Sequence, residues 1–221
     1  MKMEKDAIIM FLNLIGMSDK YTFIQRGIEH IHFLDSEVVD NDFIRLIQEI
    51  DDPNTPVTVR AYGRGAILKK RTEYMNFLKH ILRKDSIKED STNNAAPNKR
   101  FYSNAEFEKG HFKNYTLSHI WGNMSKNPYA FCALWNMCLT PFYIDPFTGH
   151  ETNGELPTLF SSELKRNVYL RYEKTIITYN ERMNDLHPMI NEYVDNKKNM
   201  KLFTATEKQR IKENFKLIVA P

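Results

Sequence analysis

Three short patches hold the residue types best suited to chemistry. The first is Leu117-Ser118-His119-Ile120-Trp121. The second is Trp135-Asn136-Met137-Cys138-Leu139-Thr140-Pro141, whose asparagine lies 17 residues beyond the histidine, and the third is Ile144-Asp145-Pro146-Phe147-Thr148-Gly149-His150. Histidine changes charge nearest neutral pH, with an unperturbed pKa of about 6.5, so His119 is matched to taking a proton from water. Such a base works only if its ring is fixed in one tautomer, which a neighbouring amide or carbonyl can secure. Other chemistries fit less well. Gly63-Arg64-Gly65 lacks the spacing and the Lys-Ser/Thr ending of a triphosphate loop, which excludes nucleotide hydrolysis by that route. Cys132 and Cys138 have neither a second pair nor metal-finger spacing, and read as reduced core residues. His30 and His32 lie two apart with no third ligand nearby, and His80, His111 and His187 read as surface or capping residues.

Taken together, the three patches resemble the HNH (ββα-metal) endonuclease family, including its restriction-like members. The resemblance spans residues 115–151, about a sixth of the chain. It implies a β-hairpin packed on a helix with one divalent metal ion between them, and hydrolysis of DNA phosphodiester bonds. His119 takes the place of the general base and Asn136, on the facing strand, that of its orienting partner. Asp145 and His150 are the nearest candidates for metal ligands. The ion implied is Mg²⁺, with Mn²⁺ as a substitute, because a hard cation with oxygen ligands neutralises charge building on a phosphate. Two departures stand out. Many family members carry Asp or His directly before the base, where this chain has Ser118. The helix position that usually supplies a ligand aligns with Ile144, leaving Asp145 one residue further on.

Charge is unevenly distributed along the chain. Its net value of +3 says little. Residues 29–52 carry eight acids against one base, net −7, whereas residues 60–84 carry eight bases against one acid, net +7. A third run, residues 197–216, has seven bases against two acids, net +5. Any such run can be a merely solvated helix face. In the company of the hydrolytic patches, Arg60, Arg64, Lys69, Lys70 and Arg71 are the expected contacts to DNA phosphates.

The elements that must position these groups follow from composition and periodicity. With 221 residues, 42% of them hydrophobic and only 8 glycines, the chain can bury a core without disulfides. Mean hydropathy is −0.54 and no apolar run reaches the roughly 18 residues needed to cross a bilayer. Apolar spacing of three and four predicts core-facing helices over residues 5–15 and 40–50, a basic amphipathic helix over 67–82, and further helices over 161–178 and 206–217. Short strands are expected at 57–59 and 114–122. Trp121, Phe131, Trp135, Phe142 and Phe147 should form the core of the hairpin module.

The expected fold class is α+β, mostly helical with a small hairpin-plus-helix module. Residues 1–85 form a helical N-terminal region, 86–103 a flexible linker, 104–180 the nuclease-like module and 181–221 a helical extension. A chain with one active centre cuts one strand, so a homodimer on DNA is expected, in the cytoplasm and away from membranes. The alternative is a non-catalytic nucleic-acid-binding or regulatory module that keeps the hairpin as scaffold.

Overall fold

The computed structural model describes residues 7–17, 19–61, 68–148, 154–196 and 202–220. The architecture is α+β and mostly helical, with two small sheets among the described residues. Helix α1 (Ala7–Leu14) buries only Leu12 and leaves Ile9, Met10, Phe11 and Leu14 exposed, so its apolar residues do not form the expected core-facing stripe. Helix α2 (Lys20–Glu29) is capped by Asp19, whose carboxylate accepts from the Tyr21 and Thr22 amides. Gly27 lets α2 approach its neighbour, since a Cβ there would lie 2.7 Å from the Phe160 ring. Helix α3 (Ser36–Asp51) turns Val39, Phe43, Leu46 and Ile50 inward at helical spacing.

Strand β1 (Val57–Arg60) leads through α4 (Leu68–Leu82) to β2 (Ile87–Asp90), and the two strands pair in parallel. Helix α5 (Ala95–Asn104) follows. The expected flexible linker at 86–103 is thus an ordered strand and helix. Its few large apolar residues concealed two sources of order. Asp90, 7% exposed, accepts from the Thr92 amide and hydroxyl at 3.0 and 2.9 Å and from the Ala96 amide at 2.7 Å, while Phe101 is wholly buried. Burial alone would raise the Asp90 pKa, but these hydrogen bonds outweigh it and keep the carboxyl below the usual range. The core also runs without a break across this segment.

Strand β3 (Tyr115–His119) pairs antiparallel with β4 (Met137–Pro141), with His119 opposite Met137. Between them lie the 3-10 turn Gly122–Met124, the one-turn helix α6 (Pro128–Phe131) and the 3-10 turn Leu134–Asn136. A further 3-10 turn, Asp145–Thr148, leads on toward α7 (Glu155–Arg171). The helix expected over 161–178 is two helices, because the chain breaks at Tyr172 before α8 (Glu173–Asp195). The Tyr172 hydroxyl donates to the Leu34 carbonyl at 2.7 Å, which pins the break inside the protein.

Helix α8 is the spine. It turns Ile176, Tyr179, Met183, Leu186, Ile190 and Val194 inward and packs against α3, α4, α7 and α9 (Ala205–Asn214). Trp135 is wholly buried at the centre, 4.9 Å from the Tyr179 ring and edge-on to Phe43. Of the aromatics expected around it, Trp121, Phe131 and Phe147 are buried as well. Phe142 is not: it sits just past β4 and is 64% exposed. Among the described residues no helix is long and apolar enough to cross a membrane.

Candidate active site on the hairpin

The site is organised by a helix too short to satisfy its own carbonyls. Helix α6 begins with Pro128 behind the Asn127 cap, whose side chain accepts from the Tyr129 amide at 3.0 Å. A helix leaves its last carbonyls without intrahelical partners, and in a one-turn helix that is nearly all of them. Here all four helical residues are buried, so water cannot easily serve. Two side chains identified from the sequence do so instead. The Asn136 amide donates to the Ala130 carbonyl at 3.0 Å, and His119 Nε2 donates to the Phe131 carbonyl at 2.8 Å.

This arrangement fixes the imidazole. A carbonyl oxygen only accepts, so Nε2 carries a hydrogen, and in the neutral ring Nδ1 carries the lone pair. The ring lies nearly parallel to Phe131, with centroids 6.0 Å apart and planes 10° from each other, and is half-buried. Asn136 does not itself bond the ring. Wholly buried, it accepts from the Trp121 amide through Oδ1 at 2.7 Å, and its backbone carbonyl accepts from the Ile120 amide at 3.0 Å. It braces the histidine from both sides, holding the chain just after His119 and the carbonyl just before Phe131. Asn136 closes a 3-10 turn ahead of β4 and does not lie in the facing strand itself. The orienting group that sequence reasoning missed is the Phe131 carbonyl, and no residue type announces a backbone acceptor.

Beside the base in sequence, the Ser118 hydroxyl donates to Asp145 Oδ1. The structure therefore joins the residue at the first-ligand position to the residue one step past the second. Both donors are hard oxygens, and Mg²⁺ commonly binds through one or two carboxylates while keeping several waters, so this donor set fits that ion. Among the described residues no group of three or more His, Cys, Asp or Glu side chains converges on one point. His150 lies outside the described residues. The Asp145 turn is secured by Thr148, whose hydroxyl donates to the Asp145 carbonyl at 2.8 Å.

The other candidates are built into the fold. His32 packs against Phe112 with centroids 4.0 Å apart and planes tilted by 32°, and its backbone exchanges hydrogen bonds with Leu139. Burial, and then the neighbouring His111 and His30, lower its pKa. His187 Nε2 donates to the Phe215 carbonyl at 2.8 Å, a capping role. Burial pushes both cysteine thiols up to about 12, so they are unreactive core side chains, as expected.

The expected DNA contacts divide. Arg64 lies outside the described residues, as does the side chain of Lys69. Lys70 is ion-paired with Glu207 and Arg71 with Glu89. Lys84, from the same basic run, is 3% exposed and donates to the carbonyls of Glu49, Asp52 and Thr55, closing the end of α3. Much of that run is therefore spent on the fold. Arg60 differs: its guanidinium donates to the Ser125 hydroxyl and lines an open cleft.

The protein family described as Uncharacterised protein PM1201 matches residues 34–220 of the chain. A protein of Pasteurella multocida (strain Pm70), named Uncharacterized protein PM1201, is 32% identical over 196 residues, which cover 87% of this chain and 86% of that relative. No solved structure matches the chain.

Proposed function

We propose, for a chain that belongs to the PM1201 family, the function of a metal-dependent DNA endonuclease of the HNH type, restriction-like in its action. The observation that carries this reading is the His119 imidazole, tied through Nε2 to the Phe131 carbonyl beside the Ser118–Asp145 pair. In the proposed reaction His119 Nδ1 takes a proton from water as the water oxygen bonds to phosphorus. The P–O bond to the leaving nucleotide breaks, and the leaving oxygen takes a proton from solvent. Asp145, with Ser118 and His150, would hold Mg²⁺ or Mn²⁺, which supplies charge neutralisation at the phosphate. Arg60, with Arg64 and Lys69 from the same run, would contact the DNA backbone, whereas Lys70 and Arg71, expected there too, are taken up by Glu207 and Glu89. Cutting both strands requires two copies, hence a homodimer on DNA. Its setting would be the cytoplasm, where two buried thiols stay reduced.

Supercoiled plasmid incubated with Mg²⁺ or Mn²⁺, with and without EDTA, tests this reading. Metal-dependent nicking should fall by about 100-fold or more in His119→Ala, the usual range for loss of a general base. Asp145→Asn should lower it too and raise the metal concentration required. No nicking by the wild-type protein in any metal would end the hydrolytic reading.

A second reading, the non-catalytic nucleic-acid-binding module, draws support from one observation. His119 and Asn136 both cap α6, a service the fold needs whether or not chemistry occurs. DNA retardation without nicking is its signature.

A further inference from the structure

A second concave site lies beyond the hairpin. A cleft of about 670 Å³ opens between the end of β1, the turn after β2, the 3-10 turn Gly122–Met124 and the last turns of α9. Among the described residues, Arg60, Lys126 and Arg210 line it against one carboxylate, that of Glu213, giving a lining charge of +2. Its walls are tied together. The Ala61 amide donates to Asn93 Oδ1 at 2.7 Å, with Asn93 in the left-handed conformation at φ 63° that asparagine tolerates. The Lys126 amide donates to Asn214 Oδ1 at 3.2 Å, and Asn214 Nδ2 donates to the Arg210 carbonyl at 2.7 Å. Arg60 is fixed by Ser125, while Glu213 accepts from Gln209 at 3.2 Å.

Three cations on one cleft repel one another. Burial first, and then Arg60 and Arg210, hold the Lys126 pKa below the usual lysine range. An anion entering the cleft would relieve that repulsion and accept several charge-assisted hydrogen bonds. Gly122, on the cleft wall, follows His119 by three residues, so their Cα atoms are within about 11 Å. That is about three nucleotide steps at ~3.4 Å of duplex axis each.

We propose that this cleft holds a backbone phosphate of bound nucleic acid, gripped by Arg60, Lys126 and Arg210, a few nucleotides from the phosphate presented to His119. The proposal rests on the nucleic-acid part of the function proposed above and is independent of hydrolysis. It adds Lys126 and Arg210 to the contacts, two residues no sequence pattern linked.

The test uses the full chain in EDTA, with a fluorescein-labelled duplex read by anisotropy over a range of salt concentrations. For the Lys126→Gln/Arg210→Gln double variant, with its helical circular dichroism unchanged, Kd should rise at least tenfold near 100 mM salt. The slope of log K against log salt should shrink by about 2, one for each cation withdrawn from the phosphate backbone. An unchanged Kd and slope overturn the proposal, and so does an absence of duplex binding by the wild type. Inorganic phosphate and a mononucleotide form the competing arms. If either binds the wild type tightly, and the double substitution abolishes that binding while duplex affinity stays the same, the cleft is a small-anion site and the backbone assignment is wrong. The two readings fail separately. Weakened duplex binding in a protein that never nicks keeps the cleft and removes hydrolysis; intact binding in a double variant whose parent nicks removes the cleft and keeps hydrolysis.

Discussion

The hairpin and the cationic cleft treat polar groups in opposite ways. Around Asn136 each side-chain donor and acceptor named above meets a complementary backbone group, and the amide is sealed from solvent. Around Lys126 three cations line an open cleft with one carboxylate among the described lining residues. Satisfied buried polar groups specify a fold; unbalanced charge at a surface contributes little to stability and is suited to a ligand. His119 belongs partly to each category, because Nε2 serves the fold and Nδ1 of the neutral ring is the proposed base. Substitutions should therefore separate stability from binding and activity.

The largest effect on stability is expected at Asn136. Asn136→Ala removes both side-chain bonds and leaves the Trp121 amide and the Ala130 carbonyl unpaired in the interior, at about 1 to 3 kcal/mol each. Urea denaturation should show a loss of about 3 kcal/mol or more. Asn136→Asp sharpens the point, since a carboxylate can still accept from Trp121 but cannot donate to Ala130. It should also destabilise, and a wild-type midpoint for either variant would contradict the bracing role. His119→Ala, by contrast, gives up the half-buried hydrogen bond to the Phe131 carbonyl, a loss of about 1 kcal/mol, while abolishing the proposed nicking. If the two substitutions cost the same stability, the histidine is as structural as the asparagine.

The cleft should behave in the reverse sense. Replacing Lys126 by Gln removes a cation from beside two others, so thermal stability should stay within about 0.5 kcal/mol of wild type or rise slightly while duplex binding weakens. A large loss of stability would move Lys126 into the structural class.

The contrast also marks what the sequence could disclose. Helices α3 and α4 and strands β1 and β3 were legible because apolar spacing follows from backbone geometry, and the separation of His119 and Asn136 suited a hairpin. Strand β2 and α5 were not, because Asp90 and Thr92 order that segment through hydrogen bonds, which leave no apolar period. Phe142 was expected inside on hydrophobicity alone, but the turn after β4 carries it to the surface. Lys126 and Arg210 lie 84 positions apart and meet only because α9 packs on the 3-10 turn Gly122–Met124, a tertiary contact that no local pattern encodes. Lys70 and Arg71 read as free charge because their carboxylate partners come from α9 and β2.

The last effect concerns the paired side of the basic run, and acid is the means to see it. Glu207 completes a capping box: its carboxylate accepts from the Thr204 amide at 2.8 Å, and Thr204 Oγ1 accepts from the Glu207 amide at 3.3 Å. Hydrogen bonds from Lys70 first, and then from Thr204, lower its pKa to about 2 against an ordinary 4.5. A carboxylate with a depressed folded-state pKa contributes stability that is fully present above 4.5 and is lost as pH falls through about 2. Glu207→Gln should therefore cost about 1 kcal/mol at pH 7, by loss of the ion pair and part of the cap. The difference from wild type should close as pH drops from 4.5 toward 2, because the wild-type carboxyl then becomes neutral as well. Parallel urea titrations of the two proteins at pH 7, 4 and 2.5 measure it. A gap that stays constant across those values would mean that Lys70 is not paired with Glu207 in solution, and would return Lys70 to the set of cations free to meet a phosphate.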